Sequence, residues 1–270
     1  MRKKTAILVV SYGCNHERMR AKTIGRIEAD IQKAYPEYLI SHAWTSQIIR
    51  RKCFEQERIR IPGVKEAMEE LFRRGIQQVV VQQTHLLNGL ENRRMIEDVE
   101  TFAEDFSQLI IGAPLLASYE DKRKVIHIIE EEIRLKNGEA LALVGHGLKG
   151  GEEETLGELG AMFRELGYED IFLGSMEGQP DFQSVLERIR RRNAKHILLT
   201  PFMIAAGKHA ERDLCGEKDT SWKSRFEEAG FSTTCILKGL GEYEGIRQIF
   251  AEHVEDSLRI LNKQSFGAYL

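Results

Sequence analysis

The sequence lacks most of the patterns that mark a specialised class of protein. None of its four cysteines forms a Cys-x-x-Cys pair, which argues against a zinc ribbon or a dithiol redox site. No run approaches the roughly 18 apolar residues of a membrane span, and the apolar run Ala6–Val10 is too short for a signal peptide. Scattered, unpaired thiols are typical of a reducing compartment. We therefore expect a cytoplasmic protein that contacts no membrane.

Strong charge and nucleotide-binding motifs are also missing. The net charge of −3 is too close to zero to suggest a nucleic-acid-binding protein. No GxxxxGK[ST] motif occurs, so use of ATP is not expected, and no GxGxxG follows the first apolar run, which argues against a Rossmann dehydrogenase. The composition is that of an ordinary globular protein, and it leaves a homo-oligomer open.

What the chain does contain is a regular alternation of short apolar runs and longer amphipathic stretches. Short β-rich runs are typical of parallel strands that are covered on both faces. The predicted strands are Ala6–Val10, Tyr38–Ala43, Gln78–Val81, Leu109–Ile111, Ala140–Val144, Ile171–Leu173, Ile197–Leu199 and Thr234–Leu237. The predicted helices are Ala21–Lys33, Val64–Arg74, Asn92–Asp105, Tyr119–Arg134, Glu154–Leu166, Phe182–Arg191 and Glu244–Leu261. This alternation predicts βαβ units and an α/β fold.

The eight predicted strands divide into four and four at the turn Lys136-Asn137-Gly138-Glu139. We expect an N-terminal half at residues 1–137 and a C-terminal half at residues 138–270. Each half would hold a four-stranded parallel sheet flanked by helices, with an active-site cleft between the halves. Open parallel sheets bind ligands at the carboxyl ends of their strands, so the chemistry is sought there.

Three residues that follow strands of the C-terminal half have metal-binding side chains. His146 lies between two glycines, which let a large ligand approach; a core or capping histidine is the alternative. Glu177 precedes Pro180 and could equally be a carboxylate at a helix N-terminus. His209 would share a helical face with Asp213, which could orient its imidazole or form only a surface ion pair. Two histidines and a glutamate suit Co, Ni, Fe or Zn, and their spacing does not choose among these.

At this point the sequence resembles a known family. The segments that carry the resemblance are ILVVSYG at 7–13, AWTSQIIRRK at 43–52, VQQTHLLNG at 81–89, VGHG at 144–147, MEGQPD at 176–181, PFMIAAGKHAERDLCGEKDTSWKSRFEEAG at 201–230 and GLGE at 239–242. They are similar to the anaerobic, ATP-independent (class II) sirohydrochlorin cobalt chelatases of vitamin B12 synthesis. Two departures stand out: Cys14-Asn15 replaces a common Thr-Ser, and Lys208 replaces a common aspartate.

The resemblance implies a chelatase-like fold and an enzyme that inserts Co²⁺, its co-substrate, into sirohydrochlorin or a precorrin. Fe²⁺, Ni²⁺ or Zn²⁺ could replace cobalt, so an iron or nickel chelatase is one alternative; a non-catalytic tetrapyrrole or metal carrier is another. The implied metal ligands, which are also the catalytic residues, are His146, Glu177 and His209. The substrate carries eight carboxylates, and arginine pairs well with carboxylate. The predicted substrate contacts are Ser11, Tyr12, His85, Arg50, Arg51, Lys208 and Arg212.

Overall fold

The computed structural model describes residues 4–147 and 152–266, except for the side chains of 152–154, 209 and 264–266. The strands are β1 Thr5–Ser11, β2 Leu39–Trp44, β3 Gln78–Gln83, β4 Gln108–Ile111, β5 Glu139–Gly145, β6 Ile171–Ser175, β7 His196–Pro201 and β8 Ser232–Cys235. They form two parallel four-stranded sheets of the same topology, in the orders β2-β1-β3-β4 and β6-β5-β7-β8. The predicted α/β fold with two four-stranded sheets is confirmed.

Helices flank both sheets. They are α1 Glu17–Lys22, α2 Ile24–Ala34, α3 Gln47–Glu57, α4 Val64–Arg73, α5 Leu90–Glu100, α6 Tyr119–Glu132, α7 Glu152–Glu165, α8 Phe182–Arg190, α9 Lys208–Cys215, α10 Trp222–Glu228 and α11 Glu244–Phe266, with a short 3₁₀ turn at Leu240–Glu242. The predicted helices did not include α1, α3, α9 or α10, although the His209–Asp213 spacing was considered for a helix at the position of α9. No helix in the described residues is long and apolar enough to cross a membrane.

Burial explains why the central strands were easy to predict. Residues Ala6–Val10 of β1 and Ala140–Val144 of β5 are at most 1% exposed. Each of these strands pairs with a strand on both sides, and the five positions named are both buried and apolar.

The chain divides into two compact units: unit 1 is Met1–Ala117 with Glu244–Leu270, and unit 2 is Ser118–Tyr243. This division corrects the predicted halves, 1–137 and 138–270. Helix α6 belongs to unit 2, where Lys122 on α6 and Glu158 on α7 form an ion pair at 2.6 Å. Helix α11 belongs to unit 1, where it packs on α2, β3 and β4.

Two contacts fix α11 to α2 and the residue that follows it. Arg247 pairs with Asp30 at 2.6 Å, and the Tyr35 hydroxyl donates to the Ala251 carbonyl at 2.9 Å. Both contacts lie within unit 1 and join residues more than 200 positions apart in the sequence. A helix so distant in the chain completes the sheet packing of the first unit.

The cysteines also differ from expectation, because Cys215 and Cys235 form a disulfide with a Cα–Cα distance of 6.0 Å. The first ends α9 and the second ends β8, so the bond ties a helix to an edge strand of unit 2. Cys14 and Cys53 are free and buried in unit 1, and burial raises the pKa of both thiols. The prediction of four unpaired thiols is therefore wrong for two of them, and it no longer supports a reducing compartment.

Candidate metal centre

The loops that follow β5 and β6 lie side by side and present two of the predicted ligands. Gly145 at the end of β5 is in register with Ser175 at the end of β6. Beyond the strands, the Met176 N–H donates to the Gly145 carbonyl at 3.0 Å and the Glu177 N–H donates to the His146 carbonyl at 3.1 Å. Both His146 and Glu177 are exposed. The backbone therefore holds residues 146 and 177 next to each other at the carboxyl edge of the sheet.

Gly147 allows this close approach. Its φ is +119°, and a Cβ built there would lie 2.1 Å from the carbonyl oxygen of Glu177 and 2.5 Å from its Cβ. No side chain fits in that space, so glycine is required by both the backbone conformation and the contact. Gly147 of the GHG motif therefore makes room for the backbone of Glu177, in addition to flanking His146.

Ser175 fixes the other side of the Glu177 loop. Its hydroxyl donates to the Glu177 carbonyl at 2.8 Å, and its N–H donates to the Pro180 carbonyl at 2.8 Å. Ser175 is 4% exposed. These contacts leave the backbone of Glu177 little freedom while its side chain faces solvent. Ser175 was not among the predicted site residues, although its position at the strand end was a usable signal.

The alternative role of Glu177 at a helix N-terminus is not what the structure shows. Asp181 is the N-cap of α8, and its carboxylate accepts from the Ser184 N–H at 2.9 Å. Glu177 lies four residues earlier, on the loop. Its role as a metal ligand stays a prediction.

His209, the third predicted ligand, follows the neighbouring strand. Strand β7 pairs with β5, and the Phe202 N–H continues that pairing by donating to the Val144 carbonyl at 2.8 Å. His209 is the second residue of α9, but its side chain lies outside the described part of the chain. The described side chains contain no group of three His, Cys, Asp or Glu that could hold a metal, and that search does not include His209. A three-residue centre therefore stays a prediction.

The predicted partners around His209 have contacts of their own. Arg212 and Asp213 form a two-pronged pair, with Nε to Oδ1 at 2.6 Å and the second nitrogen to Oδ2 at 2.9 Å. Lys208 is the first residue of α9 and is exposed. Arg212 is therefore already paired with a carboxylate of its own helix, while Lys208 faces solvent.

Of the substrate contacts predicted in unit 1, two are buried. Ser11 is 1% exposed and accepts from the Thr84 hydroxyl at 2.8 Å. His85 is 9% exposed, its Nδ1 lies 3.2 Å from Gln83 Oε1, and burial lowers its pKa to about 4. A neutral buried imidazole and a buried hydroxyl cannot easily meet a substrate. Tyr12, by contrast, is 48% exposed.

The two predicted arginines of α3 also differ from each other. Arg50 donates to the Ile61 carbonyl at 2.9 Å and pairs with Glu66 at 2.5 Å, so it connects α3 to the start of α4. Arg51 has 69% of its side chain exposed and pairs only loosely with Glu55, at 3.8 Å. Arg51 is therefore the one that remains available to a ligand.

Comparisons with known proteins identify the family of this chain. Residues 5–259 match the family model described as cobalt chelatase (CbiK). The chain is 30% identical over 258 residues to the sirohydrochlorin cobaltochelatase of Salmonella typhimurium, covering 95% of this chain and 97% of that protein. It is 27% identical to the sirohydrochlorin cobaltochelatase CbiKC of Nitratidesulfovibrio vulgaris over 96% of this chain and 92% of that one.

The fold has solved counterparts as well. SirB from Bacillus subtilis with Fe³⁺ superimposes with a TM-score of 0.66 at 15% identity, covering 94% of this chain and 95% of that one. At that identity the likeness concerns the fold alone. The family match, by contrast, spans nearly the whole chain and both units. The chain therefore belongs to the cobalt chelatase family.

Proposed function

We propose that this chelatase inserts Co²⁺ into sirohydrochlorin, or a closely related precorrin, in anaerobic cobalamin biosynthesis without using ATP. The observation that carries the proposal is the backbone pairing that places exposed His146 beside exposed Glu177 in a member of the cobalt chelatase family. His209 would complete the ligand set from α9. The sequence contains no Walker A motif to hold a nucleotide.

The reaction exchanges two pyrrole N–H protons for one divalent metal ion. A metal delivered to a macrocycle must keep open positions, and a site of two histidines and one carboxylate leaves room for water or a pyrrole nitrogen. Glu177 reduces the charge of the bound ion and can accept a proton. A neutral imidazole can either bind metal or accept a proton, so His146 or His209 can take a pyrrole proton once the metal has left it.

The first experiment mixes purified protein, sirohydrochlorin and Co²⁺ without nucleotide. We expect the absorption spectrum of the metallated macrocycle to appear faster than in a protein-free control. No acceleration with Co²⁺, Ni²⁺ or Fe²⁺ would reject the chelatase proposal. Tight macrocycle binding without turnover would instead support a carrier.

The physiological metal is a separate question. Imidazole and carboxylate ligands accept several divalent ions, and Lys208 places a cation beside His209 in the sequence. We propose cobalt, with iron and nickel as the alternatives. Comparing kcat/KM for Co²⁺, Fe²⁺ and Ni²⁺ under identical conditions distinguishes them. A cytoplasmic location and a homo-oligomeric state stay predictions.

A further inference from the structure

Unit 1 contains a surface cavity of about 520 Å³ between α3 and the segment that follows it. Cavities of this size are typical of small-molecule sites. The residues that line it combine positive charge with apolar surface: Gln47, Ile48, Arg51 and Phe54 from α3, and Arg60 and Ile61 from the following segment.

The cavity lies at the ligand-binding edge of its sheet. After α3 the chain returns to the end of β2, where the Trp44 N–H donates to the Pro62 carbonyl at 3.0 Å. The residue just before α3, Ser46, donates its N–H to the Tyr12 carbonyl at 3.2 Å. Both contacts are at the carboxyl ends of β1 and β2, which is where open parallel sheets bind their ligands.

The arginines of the cavity differ in how many contacts they already make with other residues. Arg50, which also borders it, is fixed by Ile61 and Glu66 and forms part of the wall. Among the described residues, the one ion pair of Arg51 is the 3.8 Å contact with Glu55. Arg60 is exposed and has no hydrogen bond or ion pair with any residue that the structure describes. Two guanidinium groups are therefore available to an anion, and each can bind a carboxylate with two parallel hydrogen bonds.

The apolar side chains of the cavity select among anions. Ile48 is 58% exposed and Phe54 is 48% exposed, although both are large hydrophobic residues. A small inorganic anion would satisfy the arginines and leave both side chains in water. A flat ring that carries carboxylate arms would cover Ile48 and Phe54 and also reach Arg51 and Arg60.

We infer that this cavity binds one edge of the tetrapyrrole, with Arg51 and Arg60 pairing its carboxylate arms and Phe54 and Ile48 contacting its ring. The inference rests on the proposed function, because it takes the macrocycle of that reaction as its ligand. It replaces the predicted Arg50 with Arg60, which the sequence analysis did not select. Arg51 and Arg60 are substrate-binding residues in this scheme, and they do not contact the metal.

The test uses uroporphyrin, a stable macrocycle with eight carboxylates, and measures its dissociation constant by fluorescence without added metal. In the double variant Arg51→Gln/Arg60→Gln we expect the constant to rise at least about tenfold, since charge-assisted hydrogen bonds to two carboxylates are lost. The control is Arg190→Gln/Arg191→Gln, which removes the same charge from exposed arginines of unit 2 and should leave the constant unchanged. Phe54→Ala should weaken binding several-fold while keeping every charge.

Binding of Co²⁺ alone, measured by titration, should be the same in the wild type and in the Arg51→Gln/Arg60→Gln variant. An unchanged uroporphyrin constant in that variant, or an equal loss in the Arg190→Gln/Arg191→Gln control, would overturn the inference. Failure of the wild type to metallate sirohydrochlorin would reject the proposed function. The uroporphyrin measurement would still test the cavity, because it does not depend on metallation. The two proposals therefore fail separately.

Discussion

The two units share one sheet topology, but the loops that follow their first strands make different contacts. Gly13 after β1 and Gly147 after β5 both have positive φ, +106° and +119°. A Cβ at Gly13 would meet the Trp44 ring at 2.6 Å, whereas one at Gly147 would meet the Glu177 carbonyl at 2.1 Å. The same backbone conformation packs against an aromatic side chain in unit 1 and against the loop of Glu177, a predicted metal ligand, in unit 2. Shared topology thus does not imply shared contacts.

The strand-end histidines show the same contrast. His85 follows β3 in unit 1 and is buried, while His146 follows β5 in unit 2 and is exposed. Position at a strand end made both residues candidates, but exposure distinguishes them. The following predictions test how far this difference between the units extends.

The largest expected effect is the loss of activity in His146→Ala. Removing a ligand or proton acceptor lowers turnover by on the order of 10²–10⁴-fold. The melting temperature should not change, because the side chain is exposed. The matched control is His127→Ala, an exposed histidine on α6 of the same unit. Full metallation activity in His146→Ala would remove this residue from the site.

The next effect concerns the disulfide, which only unit 2 has. Cys215→Ser should lower the free energy of unfolding by roughly 3 kcal/mol, because the bond closes a loop with a sequence separation of 20. Chemical denaturation measures the change. A reducing agent should destabilise the wild type by a similar amount and leave Cys215→Ser unaffected. A wild type that is insensitive to reduction would contradict the assigned pairing.

A smaller effect should appear in the pH dependence of unit 1. Burial lowers the pKa of His85 from 6.5 to about 4, so between these values the unfolded chain binds a proton that the folded chain does not. Stability therefore falls as the pH drops below about 6.5, with a contribution of about 2 kcal/mol between pH 7 and pH 5. Denaturation of His85→Gln over this range should show a shallower slope than the wild type. Equal slopes would contradict a neutral buried imidazole.

The smallest expected effect concerns Gly147, in the loop that follows β5. The added methyl group in Gly147→Ala should push the Glu177 loop away. We expect Co²⁺ affinity to fall about tenfold, because the contribution of Glu177 to metal binding would drop by about 1.4 kcal/mol. Gly138→Ala is the control: Gly138 also has positive φ, at +81°, but a Cβ there meets nothing within 4 Å. It should cost stability without changing Co²⁺ affinity. Equal affinity in the two variants would show that Gly147 does not position Glu177.

The sequence predicted those features that local patterns determine. Each of the eight strands overlaps a predicted one, and the central strands were the clearest because strands covered on both faces are continuous apolar runs. Helix α3 was missed since its only fully buried residue is Cys53, which leaves no apolar stripe to recognise. The Cys215–Cys235 bond and the burial of His85 depend on contacts between distant segments. His146 and Glu177 could be selected from their strand-end positions, but the hydrogen bonds between their loops could not.

The return of α11 to unit 1 has a consequence for synthesis. Unit 2 is one continuous stretch of chain, Ser118–Tyr243, inserted within the sequence of unit 1. On the ribosome, all of unit 2 emerges before the helix that packs on α2, β3 and β4. Domains usually fold in order from the N-terminus, but here unit 1 can complete its fold only after unit 2 has been synthesised. The unit with the candidate metal ligands can reach its native state while the unit with the arginine cavity still lacks its last helix.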